Sequence, residues 1–242
     1  MKKAATAALL IVTAIPMLIG VAALPRHGDP QAPVHTGVSA RYLEGGAAEG
    51  GTPNIVANIL LNYRGLDTAG EVIVIFTALV AGLAALLTAP PLFTRARRMP
   101  PAARAASAPP VSPVVGFVVR LLAPFIALFA IYIIVHGHAS PGGGFQGGAI
   151  LGGLFVVLTI VLGEERALTL MPRAAAPWMQ AAAVIAFVAV GVIGAALTGY
   201  FLGFPVETMH LAAKLMMIAL EAGIGLGGAA IFATLFLEME TA

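Results

Sequence analysis

Apolar positions along the chain gather into about six long blocks, at 4–24, 68–90, 113–135, 144–163, 178–201 and 207–237. Each block is close to the roughly 20 residues that a helix needs to cross about 30 Å of hydrocarbon. The pattern predicts an all-α polytopic membrane helix bundle, with about six transmembrane helices and one short interfacial helix at 53–63. In that short helix Thr52 suits the cap and Pro53 the first position, where a missing N–H does no harm. Ile55, Val56, Ile59 and Leu60 form its apolar side, and Asn54, Asn58 and Asn62 recur every four residues as a polar stripe. Such a helix fits the interface plane, a neighbouring subunit, or a surface where the stripe meets water.

The first block has two readings. Lys2 and Lys3 ahead of an apolar run, with small residues at Ala22 and Ala23, also describe a secretory signal. The run is longer than a usual signal core and ends in Leu24-Pro25 without a clear cleavage site, so a retained helix is expected.

Composition narrows the class. With 60% hydrophobic and 10% charged residues, and a mean hydropathy of +0.97, the chain is not a water-soluble globule. A net charge of +2 is too small to point to nucleic acid. The absence of cysteine excludes disulfides, thiolate zinc sites, iron–sulfur ligation and a cysteine nucleophile. No cofactor is expected. Lys2, Lys3, Arg95, Arg97, Arg98, Arg104, Arg166 and Arg173 fall in segments that share one side of the membrane if both termini are cytoplasmic. The 25–52 segment on the other side carries only Arg26 and Arg41, which fits the positive-inside rule for a multi-pass protein of the plasma membrane. The Pro/Ala/Arg-rich stretch at 91–112 divides the chain, giving a two-span module at 1–98, a linker at 99–112 and a four-span domain at 113–242.

Candidate chemistry sits in the last block. Glu207, His210, Lys214 and Glu221 fall within about a 60° arc of one helix at 3.6 residues per turn. A charge at the bilayer centre costs about 3 kcal/mol even on lenient scales, so an intramembrane Lys or Glu marks a functional site. Lys214 and Glu221 lie two turns apart, about 10 Å along the axis, too far for direct pairing without bending. Three roles stay open for them: a buried proton relay with His210 and Glu207 at its watery end, an interhelical pair that cements assembly, or side chains that snorkel to the interface. Gly223, Gly225, Gly227 and Gly228 favour close packing, so this helix is expected to face protein.

A second acidic entrance is expected at the mouth of the second block, where Asp67 and Glu71 follow Arg64. Thr68 and Glu71 also fit a capping box, while an earlier helix start would place Arg64, Asp67 and Glu71 on one face.

Between the third and fourth blocks runs His136-Gly-His138-Ala-Ser-Pro141-Gly142-Gly143-Gly144-Phe145-Gln-Gly147-Gly148. Gly142, Gly144 and Gly147 formally match a dinucleotide fingerprint, but no strand precedes them and the following helix is lipid-apolar. The glycines instead serve a sharp turn followed by close helix contact. His136 and His138 make a weak metal pair, being two apart in a loop without a third ligand, and no metal site is assigned.

This motif resembles the hallmark of the MnhB domain, found in the Mrp-type multisubunit cation/proton antiporters, and 113–237 matches its size. The stretch from Pro53-Asn54 through Tyr63-Arg64-Gly65-Leu66-Asp67-Thr68-Ala69-Gly70-Glu71 is similar to a second small module. In that superfamily the module lies at the C-terminal end of the large antiporter subunit or stands alone in membrane-bound hydrogenases. The resemblance implies a transporter subunit, not an enzyme, with other membrane subunits as partners. Three alternatives stay open: a cation (Na+)/proton antiporter subunit, the equivalent subunit of an ion-translocating hydrogenase or respiratory complex, and a structural adaptor without an ion role.

Overall fold

The computed structural model describes residues 2–88 and 111–241, and every regular element among them is helical. The order is α1 (Lys2–Ala22), α2 (Pro33–Thr36), α3 (Val38–Gly50), α4 (Ile55–Ala57) running into a π-helical segment (Asn58–Tyr63), α5 (Gly65–Thr88), α6 (Pro113–His136), α7 (Gly144–Leu162), α8 (Glu164–Leu170), α9 (Ala175–Thr198) and α10 (His210–Thr241). Six of these helices are long and apolar enough to cross a membrane, at Lys3–Ala22, Gly65–Leu86, Pro113–His136, Gly144–Leu162, Ala175–Thr198 and His210–Met239. They coincide with the six blocks of the sequence, and the chain is an all-α polytopic membrane protein. The linker arginines Arg95, Arg97, Arg98 and Arg104 lie outside the described residues.

The chain forms two compact units, Met1–Glu44 and Gly45–Ala242. The first is α1, whose Leu9, Leu10, Met17 and Leu18 are all exposed, followed by α2 and the start of α3. The second is organised around α10, which packs against α5, α6, α7 and α9. Hydrophobic burial drives nothing between helices in lipid, so close van der Waals packing has to hold them, and small residues permit it. Gly148 lies so near α10 that a Cβ there would stand 2.7 Å from the Gly225 carbonyl oxygen. Further along, a Cβ on Gly152 would stand 2.7 Å from that of Phe232. Met217 and Leu220 are fully buried and join Ala57, Leu61, Phe187, Leu202 and Phe204 in one core. A second core at the opposite end gathers Phe155, Ala167, Ala233 and Leu237.

Several local expectations change. The 25–52 segment is not a plain loop, because α2 and α3 together occupy most of it. Its glycines disguise the helix, yet Gly50 is demanded by the approach of Asn58, whose side chain a Cβ would strike. The stretch between the fourth and fifth spans likewise contains α8. There Arg173 bridges Glu164 (2.5 Å) and Glu238 (3.1 Å), joining this segment to the end of α10. The fifth span starts three residues earlier than its apolar block and stops at Gly199, whose φ of 89° suits glycine after a helix C-terminus.

The short helix is capped by Asn54, not Thr52. The Asn54 side chain accepts from the N–H groups of Val56 (3.0 Å) and Ala57 (3.4 Å). From Asn58 the helix widens into the π form, and the Leu60 carbonyl accepts the Thr68 hydroxyl at 2.6 Å. Thr68 is thus engaged inside the fold. Since α5 already starts at Gly65, the capping box with Glu71 does not form, and Arg64, Asp67 and Glu71 share a face.

Candidate functional site

The glycine turn and the middle of α10 build one site. The turn between α6 and α7 ends with Gly143 at φ 147°, a conformation that side chains rarely adopt. It delivers the first N–H of α7, that of Gly144, to the Glu221 carboxylate, to which it donates a short hydrogen bond. The first N–H groups of a helix have no partner inside it and carry its positive dipole end, so a carboxylate there is both bonded and electrostatically favoured. Glu221 therefore caps α7 from a different helix. Only 6% of it is exposed.

Gly137 and Gly143 close the pocket around this carboxylate. A Cβ on Gly137 would stand 3.2 Å from one Glu221 oxygen, and a Cβ on Gly143 would stand 3.3 Å from the other. At Gly144 a Cβ would collide with the Glu221 backbone carbonyl and stand 2.7 Å from the Ile224 Cβ. Gly147 packs on Ile134 of α6, and Gly148 on Gly225 of α10. Pro141 is exposed on the turn's outer side, while Gly142 sits against Ile133 and Phe145 borders the α10 core. The motif thus forms a cradle for one buried acid, a role that composition and spacing did not reveal.

The remaining α10 candidates are graded from water inward. Glu207 is not on the helix, which starts at His210, and it lies exposed in the preceding turn. It lines an open cavity of about 670 Å³ together with Glu49, Asn62, Tyr63, Thr198 and Tyr200. His210 is exposed and Lys214 is half-buried. Among the described residues Lys214 pairs with no carboxylate, and seven residues, about 10 Å of rise, separate it from Glu221.

Lys214 instead acts on His138. This histidine is 6% exposed, and its Nδ1 lies 2.9 Å from the Val135 carbonyl. Burial holds its imidazole below the usual histidine range; the Val135 carbonyl opposes this and the Lys214 charge adds to it. His136 is exposed and stacks on Tyr132, with ring centroids 4.3 Å apart. Among the described residues no three His, Cys, Asp or Glu side chains gather as metal ligands.

Asp67 and Glu71 are not part of this site. Asp67 pairs with Arg64 at 2.5 Å, both more than half exposed, and Glu71 is exposed on the same face. Exposed pairs of this kind contribute about 0–1 kcal/mol.

Two polar features are not evident from the sequence. The asparagine stripe faces inward: Asn58 is fully buried, donates to the carbonyls of Gly46 and Thr52 (2.8 Å each) and accepts the Thr52 hydroxyl at 2.7 Å. Asn62 donates to the Glu49 carbonyl and Asn54 reaches the glycine turn. The four-residue period is the signal, and it suits an inward face as well as a solvent one. Deeper in the bundle, Gln180 of α9 donates to Thr234 of α10 at 3.3 Å, a polar contact between two apolar helices.

Residues 114–237 match the family described as a domain related to the MnhB subunit of Na+/H+ antiporter, and residues 9–110 match MbhE, the E subunit of MBH. The chain is 27% identical over 198 residues to the A/B subunit of a probable K(+)/H(+) antiporter of Rhizobium meliloti, covering 74% of this chain and 18% of that protein. It is 24% identical over 158 residues to an uncharacterized protein of Methanocaldococcus jannaschii, covering 62% of this chain and 59% of the other. The chain therefore spans less than two thirds of either curated relative. Among solved structures, it is similar to a chain of the Mrp complex from Dietzia sp. DQ12-45-1b, with a TM-score of 0.67 and 24% identity over 98% of this chain and 26% of that one. It also resembles a chain of the archaeal membrane-bound sulfane sulfur reductase (MBS), with a TM-score of 0.62 and 30% identity over 96% and 98% of the two chains.

Proposed function

The chain belongs to the family of domains related to the MnhB subunit of Na+/H+ antiporters, and on that premise we propose that it is a membrane subunit of a multisubunit cation/proton antiporter. In this reading it acts only within a hetero-oligomer of membrane subunits, in the plasma membrane, with both termini cytoplasmic. The translocation is the work of the whole assembly, and this chain is no enzyme by itself. The carrying observation is the Glu221 carboxylate, buried inside a membrane-spanning helix and held by the Gly144 N–H. An acid so placed exchanges protons along a restricted route, since the bundle keeps bulk water from it and the first N–H of α7 holds it in place. Glu207, which lines the cavity, and the exposed His210 form the watery mouth, and Lys214, beside His138, sets the positive charge between mouth and acid. Asp67 and Glu71 serve as a separate exposed entrance.

A second reading has its own support. The 30% identity with nearly the whole of an MBS chain, and the match of 9–110 to MbhE, favour a respiratory membrane complex as the parent assembly. The site chemistry is the same in either complex.

Everted vesicles carrying Glu221→Gln or Lys214→Ala test the proposal. Antiport is expected to fall roughly tenfold or more with the complex still assembled. Unchanged antiport with intact assembly removes the proton role, and lost assembly converts the chain into an adaptor.

A further inference from the structure

Asn54 stands at the start of α4, in the part of the chain that matches MbhE, and its side chain works in two directions at once. The oxygen caps its own helix through Val56 and Ala57. The amide nitrogen crosses to the glycine turn and donates to the carbonyls of Gly137 (2.5 Å) and Ser140 (2.8 Å). The backbone N–H of Asn54 also donates to the His138 carbonyl at 3.4 Å. Three carbonyls of one turn are thereby tied to one residue, while the far end of the same turn presents Gly144 N–H to Glu221. Within the turn the N–H groups of Ala139 and Ser140 and the Ser140 hydroxyl return to the His136 carbonyl, and the Asn54 bonds tie the turn to a separate segment of the chain. We infer that Asn54 is a positioning residue: it clamps the 137–144 turn from the carbonyl side so that Gly144 meets the Glu221 carboxylate, joining the two family-matched segments at one acid.

This rests on the proton role assigned above to Glu221. The ionisable groups on the elements that meet that acid are Lys214, two turns away on its own helix, His136 and His138 flanking Gly137, and Tyr132 and Arg120 further back on α6. The other neighbours contribute little charge, since α7 and α9 contain no ionisable residue and α5 carries only Asp67 and Glu71 near its outer end.

The test uses the assembled complex with Asn54→Asp and Asn54→Ser. Both replacements keep a helix-capping oxygen, and neither donates as the amide does to Gly137 and Ser140. Amide exchange across 137–144 is expected to quicken in both variants, with exchange in α9 unchanged. The pH profile of antiport is expected to shift in both variants, the uncharged serine one included, because the Gly144 N–H no longer meets the Glu221 carboxylate in one fixed geometry. Unchanged exchange at 137–144 overturns the clamp. Faster exchange with an unmoved pH profile overturns the positioning role, and failure of both variants to assemble makes Asn54 a folding residue instead. Should Glu221→Gln leave antiport intact, the proton role fails, while the exchange measurement still decides the clamp by itself.

Discussion

Glu221, well inside α10, and Asp67, in the first turn of α5, are both carboxylates beside apolar helical sequence, yet Glu221 is 6% exposed and the Asp67 side chain 56%. Asp67 meets a guanidinium that water also reaches, and either group loses little if the other is removed. Glu221 meets a backbone N–H that has no alternative partner, so each leaves the other unsatisfied if it goes, at about 1–3 kcal/mol. The difference teaches that an acid's role in a membrane bundle follows from what reaches it. The carboxylate and the apolar helical sequence beside it are shared by both.

Breaking the buried side of this contrast has the largest expected effect. Gly144→Ala forces a methyl group against the Glu221 carbonyl and Ile224, and overpacking of this kind costs about 1–3 kcal/mol. Thermal unfolding of the detergent-solubilised complex is expected to shift to clearly lower temperature, with antiport reduced in proportion to displaced Glu221. An unchanged melting curve and full transport would show that the turn has room to spare.

His138 sharpens the comparison at a middle level. Its imidazole titrates below the usual value of about 6.5, mainly through burial, so the unfolded chain binds the proton first as pH falls. The stability it contributes is complete above about 6.5 and is lost as pH drops towards its folded value. His138→Asn is expected to flatten the acid side of a stability-against-pH curve, and an identical slope in the variant would remove that assignment.

The exposed acids give the smallest effect. Asp67→Asn is expected to change stability by less than about 1 kcal/mol, as removal of a surface pair does. A larger loss in chemical denaturation would mean that Asp67 is covered in the assembled complex.

Much of this was legible in the sequence, and the failures have physical causes. The six spans could be read because lipid demands long apolar runs, which nothing else in a chain of this composition imitates. Glu221 and Lys214 stood out for the same reason, as costly exceptions. By contrast α3 was hidden by Gly45, Gly46 and Gly50, because a glycine needed for close approach looks the same in sequence as one that breaks a helix. Asn54, Asn58 and Asn62 showed their period but not their direction. An inward polar stripe differs from an outward one only in the carbonyls facing it, and those come from residues 46–52 and 137–140. The cradle needed both distant segments: Pro141 to Gly148 announced a turn, and only the fold brings Gly137, Gly143 and Gly144 around Glu221.

The most direct test of the sealed acid is paired carboxyl labelling in intact membranes, read residue by residue by mass spectrometry. A hydrophobic carbodiimide is expected to modify Glu221, while a water-soluble one modifies Glu71 and Glu207 and leaves Glu221 untouched. Modification of Glu221 by the water-soluble reagent as fast as that of Glu71 would contradict the account.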